Sequence, residues 1–124
     1  MAGVAHTDVF DLGLDVIESS ANKLVLCSAE PTTFADADGA LKLAEVAVTQ
    51  ADYTIAAGDV SGRKITQAAK TVTGTADGTA QFFAIVDTVT SRLLWRNGMT
   101  HVAITNGNPQ DVNAVRVLEI QQPV

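Results

Sequence analysis

Side chains suited to chemistry are few in this 124-residue chain, and their spacing limits what they can do. Cys27 is the one cysteine. It closes the apolar run Leu24–Cys27, so no intrachain disulfide is open to it and the run predicts a buried small hydrophobe. A thiolate nucleophile would need a base beside it, and the only two imidazoles, His6 and His101, lie far away in sequence. These histidines form no HExxH pair and stand near no cysteine pair, so they read as surface or interface residues and not as zinc ligands. Asp36-Ala37-Asp38-Gly39 has the opening of a calcium loop, but an EF-hand loop needs further oxygen ligands and a closing glutamate at its twelfth position. Counted from Asp36 that position is Ala47, and begun two residues earlier the first ligand is Phe34. A solvent loop is expected there. The glycines form neither a GxGxxG fingerprint nor a P-loop, Ser61-Gly62-Arg63-Lys64 lacks the upstream glycines of a nucleotide site, and no GxSxG elbow occurs. The expectation is a protein that is not an enzyme, with no catalytic residue, no cofactor and no metal.

The acids that do cluster, Asp8, Asp11 and Asp15, belong to an element. Thr7 has the character of an N-cap, acids suit the first turn of a helix, and Phe10, Leu14 and Ile17 recur at i, i+4 and i+7. An amphipathic helix is expected over residues 8–19, behind an arm of residues 1–7 that is flexible or ordered by a partner. After residue 22 strand signals dominate. Lys23–Ser28 reads as an inner strand; in residues 40–49 Leu41, Leu43 and Val46 also suit a helix, but the alternation favours a strand over 41–49; and residues 50–61 read as an irregular crossing loop around Gly58-Asp59. Residues 62–68 and 70–75 alternate as half-exposed strands. Asp77-Gly78 marks a turn. The runs Phe82–Val86 and Leu93–Trp95 flank the polar centre Asp87–Arg92, the pattern of a hairpin with a face to bury. Asn97-Gly98 reads as a further tight turn before a strand over 99–105, and Asn106–Pro109 as another turn. Residues 114–121 alternate with apolar residues on both sides, which suits a central strand or one packed at an interface. The expected core is Leu24, Leu26, Phe82, Phe83, Ile85, Leu94, Trp95 and Val117.

Turns every 8–12 residues and seven or eight short strands indicate a mainly β fold, a small sandwich or barrel with one N-terminal helix, in a single domain spanning residues 1–124. Composition agrees. The chain is 47% hydrophobic, rich in Ala, Val and Thr and poor in aromatics, and β-branched residues favour pleated surfaces. Its eight basic residues are scattered against fourteen acids, for a net charge of −6. Phosphate backbones and anionic membranes are bound by clustered Lys and Arg, so neither nucleic acid nor membrane is an expected partner. No apolar run approaches the length of a membrane span, and no secretory leader is visible, which suggests synthesis in a cytoplasm.

Three stretches carry a resemblance: ANKLVLCSAEPT after the short helix, SGRKIT, and the hairpin GTAQFFAIVDTVTSRLL. With them the chain, from about Asp8 to Ile120, resembles the small structural proteins encoded in the head-gene cluster of tailed bacteriophages, commonly read as capsid decoration (cement) proteins. The resemblance implies a β-rich domain on the outer surface of the capsid, bound to the major capsid protein, stapling neighbouring shell subunits and made in the cytoplasm of a host bacterium. It also implies a homo-oligomer, with a trimer as the first expectation. The arm, helix and chain end carry apolar residues beyond what one face of a small core needs. The expected capsid or oligomer interface is therefore Val4, His6, Phe10, Leu14, Ile120 and Gln122. Two other readings stand beside this one: a neck, head–tail joining or tail-tube component, and a small ligand- or carbohydrate-binding β domain. The last would need exposed aromatics for stacking, and the sequence offers Tyr53 and a Trp95 that is expected in the core.

Overall fold

The computed structural model describes residues 7–121; the expected arm falls almost wholly outside them. The chain is mainly β, with one helix, α1 (Thr7–Ser20), and nine strands among the described residues. These are β1 (Lys23–Cys27), β2 (Lys42–Ala47), β3 (Tyr53–Ala57), β4 (Arg63–Gln67), β5 (Lys70–Gly74), β6 (Gly78–Asp87), β7 (Arg92–Ile104), β8 (Pro109–Val112) and β9 (Val115–Ile120). Six form one sheet in the order β7-β6-β1-β2-β5-β8, and three form a second in the order β3-β4-β9, with every pairing antiparallel.

The centre of the large sheet is apolar on both faces. Leu24, Leu26, Phe83 and Ile85 face one way, paired as Leu24 with Ile85 and Leu26 with Phe83. Val25, Cys27, Ala84 and Val86 face the other, as the two-residue period of a strand requires. The first set joins Leu14 and Ile17 of α1, Tyr53 and Ile65 of the small sheet, and Val72, Ile104 and Val117 in one core. The second is covered by a helical turn, Asp36–Ala40, which sets Ala37 against it. The expected solvent loop is therefore a lid over the sheet. Of the expected core, Leu24, Leu26, Phe83, Ile85 and Val117 are buried, while Leu94 and Trp95 are half-buried and packed against the first cluster. Phe82 is half-buried on the opposite face, with the second cluster.

Several expectations need correction. Asn97-Gly98 is not a turn: β7 runs through it, and Gly98 lacks the positive φ that Gly62, Gly78 and Gly107 adopt. The ten-residue β6 offers pairing along its whole length, so β7 continues and absorbs its surplus as bulges. One falls where Ala80 pairs with Val102 but Phe82 with Gly98, leaving three β7 residues opposite Gln81. The segment taken for an irregular loop holds β3, in which Tyr53 is buried and Thr54 exposed. The region after Asn108 holds β8, four residues begun by a proline and fastened to β5 by the ladder and by Thr71 Oγ1 donating to Asp111 Oδ1 at 2.9 Å. Residues 115–120 form an edge strand, not a central one. The count is nine strands where seven or eight were expected.

The large sheet has to curl. β7 and β8 stand at its opposite edges, which in a flat sheet would lie about 24 Å apart. Yet Ile104 ends β7 and Pro109 begins β8, a gap that fully extended chain spans for at most about 18 Å. The connection is tighter still, because Asn108 N–H donates to Thr105 O at 3.0 Å. Gly74 holds this closure from the β5 side: its N–H donates to Asn108 O at 2.8 Å and its carbonyl accepts from Gly107 N–H at 2.8 Å. A Cβ at Gly74 would lie 2.2 Å from Thr105 O, so glycine is required there. The sheet becomes an incomplete barrel, pinned at the 105–108 turn and open along β7 and β8.

Candidate functional site

Two features of the opening make it the candidate site. First, among the described residues β7 pairs only with β6 and β8 only with β5, so the facing edges present rows of backbone N–H and C=O groups without a strand partner there. Second, the opening has depth. A cleft of about 410 Å³ lies between Met99–Val102 of β7 and Gln110–Val112 of β8, reaching Phe83, Asn113 and Ala114. Phe83 is buried there, and Met99, Val102 and Val112 are half-buried with their inner sides on the core. Thr100 and His101 are exposed at the rim. The bulge opposite Gln81 supplies this wall, since bulges bend a strand and re-aim its side chains. Phe83 is held from behind by Trp95, edge to face, with centroids 4.9 Å apart and planes at 72°.

The other groups with chemical potential are engaged within the fold. Cys27 is fully buried, its Sγ 3.8 Å from Ala37 O, and burial, then the Asp36 charge, push the thiol up to about 11. Such a thiol is a poor nucleophile at neutral pH. Asp36 accepts from the Thr32 hydroxyl at 2.9 Å and from Thr32 N–H at 3.2 Å. These bonds hold its carboxyl below the usual range. Asp38 and Glu45 interlock with Lys23 and Lys42 at 2.8–3.5 Å. The Lys23 ammonium, bonded first to Glu45, is raised, and Glu45, bonded first to Lys23, is lowered. Among the described residues no group of three or more His, Cys, Asp or Glu could hold a metal ion. Lys64 pairs with Asp59 in the β3–β4 turn. The backbone N–H groups of Asp59 and Val60 donate to the Glu119 carboxylate of β9, which ties that turn to the neighbouring edge.

The expected interface residues divide. Val4, His6 and Gln122 lie outside the described residues, as does the side chain of Phe10. Leu14 is 0% exposed and belongs to the core that α1 shares with the small sheet, so it is core and not contact surface. The reason is the helical stripe itself, since Leu14, Ile17 and Ala21 all face inward while Val16 is exposed. Ile120 is half-buried and also packed on the core; a Cβ on Gly13 of α1 would meet its Cδ1 at 3.4 Å. Helix and final strand therefore do come together, through core packing. His101 is at the cleft rim, but nothing in its sequence neighbourhood marks it. The cleft is built by β8, which carries too weak a strand pattern to read, and by a bulge.

No family model matches the chain, and searches of curated proteins and of solved structures return no match.

Proposed function

We propose that this protein is a structural virion protein that decorates the outer surface of a tailed-phage capsid. It binds the major capsid protein and stabilises the shell as a homotrimer, with no catalytic step assigned to any residue. The observation that carries the reading is the open barrel. Two facing unpaired strand edges over a half-buried apolar floor make a surface suited to holding another protein chain. Support also comes from where the resembling stretches fall. ANKLVLCS enters β1, SGRKIT enters β4, and FAIVDTVTSRLL forms the β6–β7 hairpin. These are positions of the frame that holds the open edges in place. The strongly exposed Val60 and Val89, 74% and 84% exposed at the tips of the β3–β4 and β6–β7 turns, add small apolar contact points.

The test is reconstitution. Capsids lacking the protein should take up the purified chain at a stoichiometry fixed by lattice symmetry and then resist heating better than bare shells. Protein that stays unbound to such shells sinks the reading, and density confined to the portal vertex or tail in a particle map replaces it with a neck or tail role.

A further inference from the structure

We infer that the opening between β7 and β8 is an acceptor groove for one extended peptide strand, apolar and basic in character, supplied by a partner protein. The identity of that partner as a shell subunit rests on the decoration reading; the groove itself rests on the fold alone.

The walls specify backbone recognition. Each is a strand edge without a neighbour among the described residues, and the main-chain groups of an added strand satisfy such an edge directly. A compact small molecule would fill the floor and leave both rows of backbone groups unmet. The floor fits an alternating peptide, because Phe83, Met99, Val102 and Val112 offer apolar surface for every second side chain while the others face solvent. Strand direction sets how the occupant pairs. β7 and β8 are joined by residues 105–108 and run in opposite directions, so a strand between them is antiparallel to one wall and parallel to the other. Closing an antiparallel sheet of six strands with a seventh requires that one parallel ladder. Charge sets the rest of the sequence. The cleft is lined by Asp111 and by no lysine or arginine, and the chain as a whole carries −6. A strand with Lys or Arg near the β8 wall is complementary, whereas a second copy of this acidic chain is not.

The groove is tested with the full chain and an equimolar pool of capped hexapeptides that alternate Val or Ile with Thr or Arg. Amide exchange followed by NMR should slow at least tenfold within residues 99–103 and 110–112. A pool N-methylated at alternate residues, which cannot form the ladders, should leave exchange unchanged. A pool with Glu in place of Arg should be captured at least tenfold more weakly by the unaltered chain, and equal capture of the two pools overturns the basic character of the occupant. The groove is overturned by unslowed exchange in both segments, by equal slowing with the N-methylated pool, which marks an apolar ligand cavity, or by protection confined to β3 and β9. Capsid shells separate the two proposals. Binding to shells with seam amides still exchanging freely overturns the groove as the shell contact and leaves decoration standing; peptide capture without shell binding does the reverse.

Discussion

Asp87 shows how one residue fixes a hairpin. It is 4% exposed at the end of β6. Its carboxylate accepts from Thr90 Oγ1 at 2.6 Å, Val89 N–H at 2.9 Å and Arg92 Nη2 at 3.1 Å. The Thr90 hydroxyl first, and then Arg92, hold its pKa down to about 2. An unfolded aspartate titrates near about 3.9, so the folded state gains from the ionised carboxylate at all higher pH. That gain fades as pH falls from about 4 to about 2. Asp87→Asn should lower Tm at pH 7 and flatten the acid limb of a Tm-versus-pH series between those values; an unchanged acid limb refutes the assignment. Tyr53 and Gln67 form a second case. Tyr53 Oη donates to Gln67 Oε1 at 3.0 Å in the core, and Gln67 Nε2 has no partner among the described residues. Burial, with the nearby Asp52 charge, raises the phenol, so it stays a donor. Tyr53→Phe should cost about 1–3 kcal/mol in denaturant unfolding, because both ends of a buried amide are then unmet. Tyr53→Phe with Gln67→Met should recover most of that loss. Leu14→Ala should cost about 2–5 kcal/mol by opening a cavity under α1, with the loss seen in unfolding before it is seen in any binding assay.

At the scale of elements, the small sheet depends on the β3–β4 turn. Gly62 has φ +68°, and a Cβ there would stand 1.9 Å from Ile120 O. Gly62→Ala therefore forces β4 and β9 apart at their joined end. A loss of about 2 kcal/mol or more is expected from left-handed strain alone, together with faster amide exchange in β9; a melting temperature equal to the parent's would refute this. The β6–β7 hairpin was readable because its apolar runs and polar centre agree with one another: Val86 pairs with Leu93 and Asp87 with Arg92. The Asn97-Gly98 reading failed because turn propensity is a local preference, and a long partner strand outweighs it. β3 and β8 were hidden for opposite reasons. β3 sits beside strong turn residues that dominate its window. β8 is short, polar and opened by proline, and it exists because β5 supplies its ladder.

At the scale of the whole molecule, the helix, the small sheet and the curled sheet share one core through Leu14, Tyr53, Ile65 and Ile85. Unfolding should then be a single transition in both near- and far-ultraviolet dichroism; separate midpoints would show that α1 or the small sheet melts alone. The mainly β fold and most of the core were legible, because strand alternation and short apolar runs act over a few residues. The candidate site was not. His101, Met99, Val112 and Asp111 are ordinary residues in sequence, and they become one cleft only when the sheet curls.

What the sequence by itself determined is the period of burial: α1 by its stripe, β1 and β6 by their apolar runs, and the hairpin by its polar centre. Even Leu14, expected at an interface, was marked as part of that stripe. Tertiary structure alone decided which edges remain open. Strand order brings the outermost strands β7 and β8 to a four-residue turn, the sheet must bend to permit it, and Gly74 and the β7 bulge set where closure stops. Burial is encoded locally because side-chain polarity is a property of each residue. An unpaired edge belongs to the arrangement of strands, and no single stretch of sequence contains it.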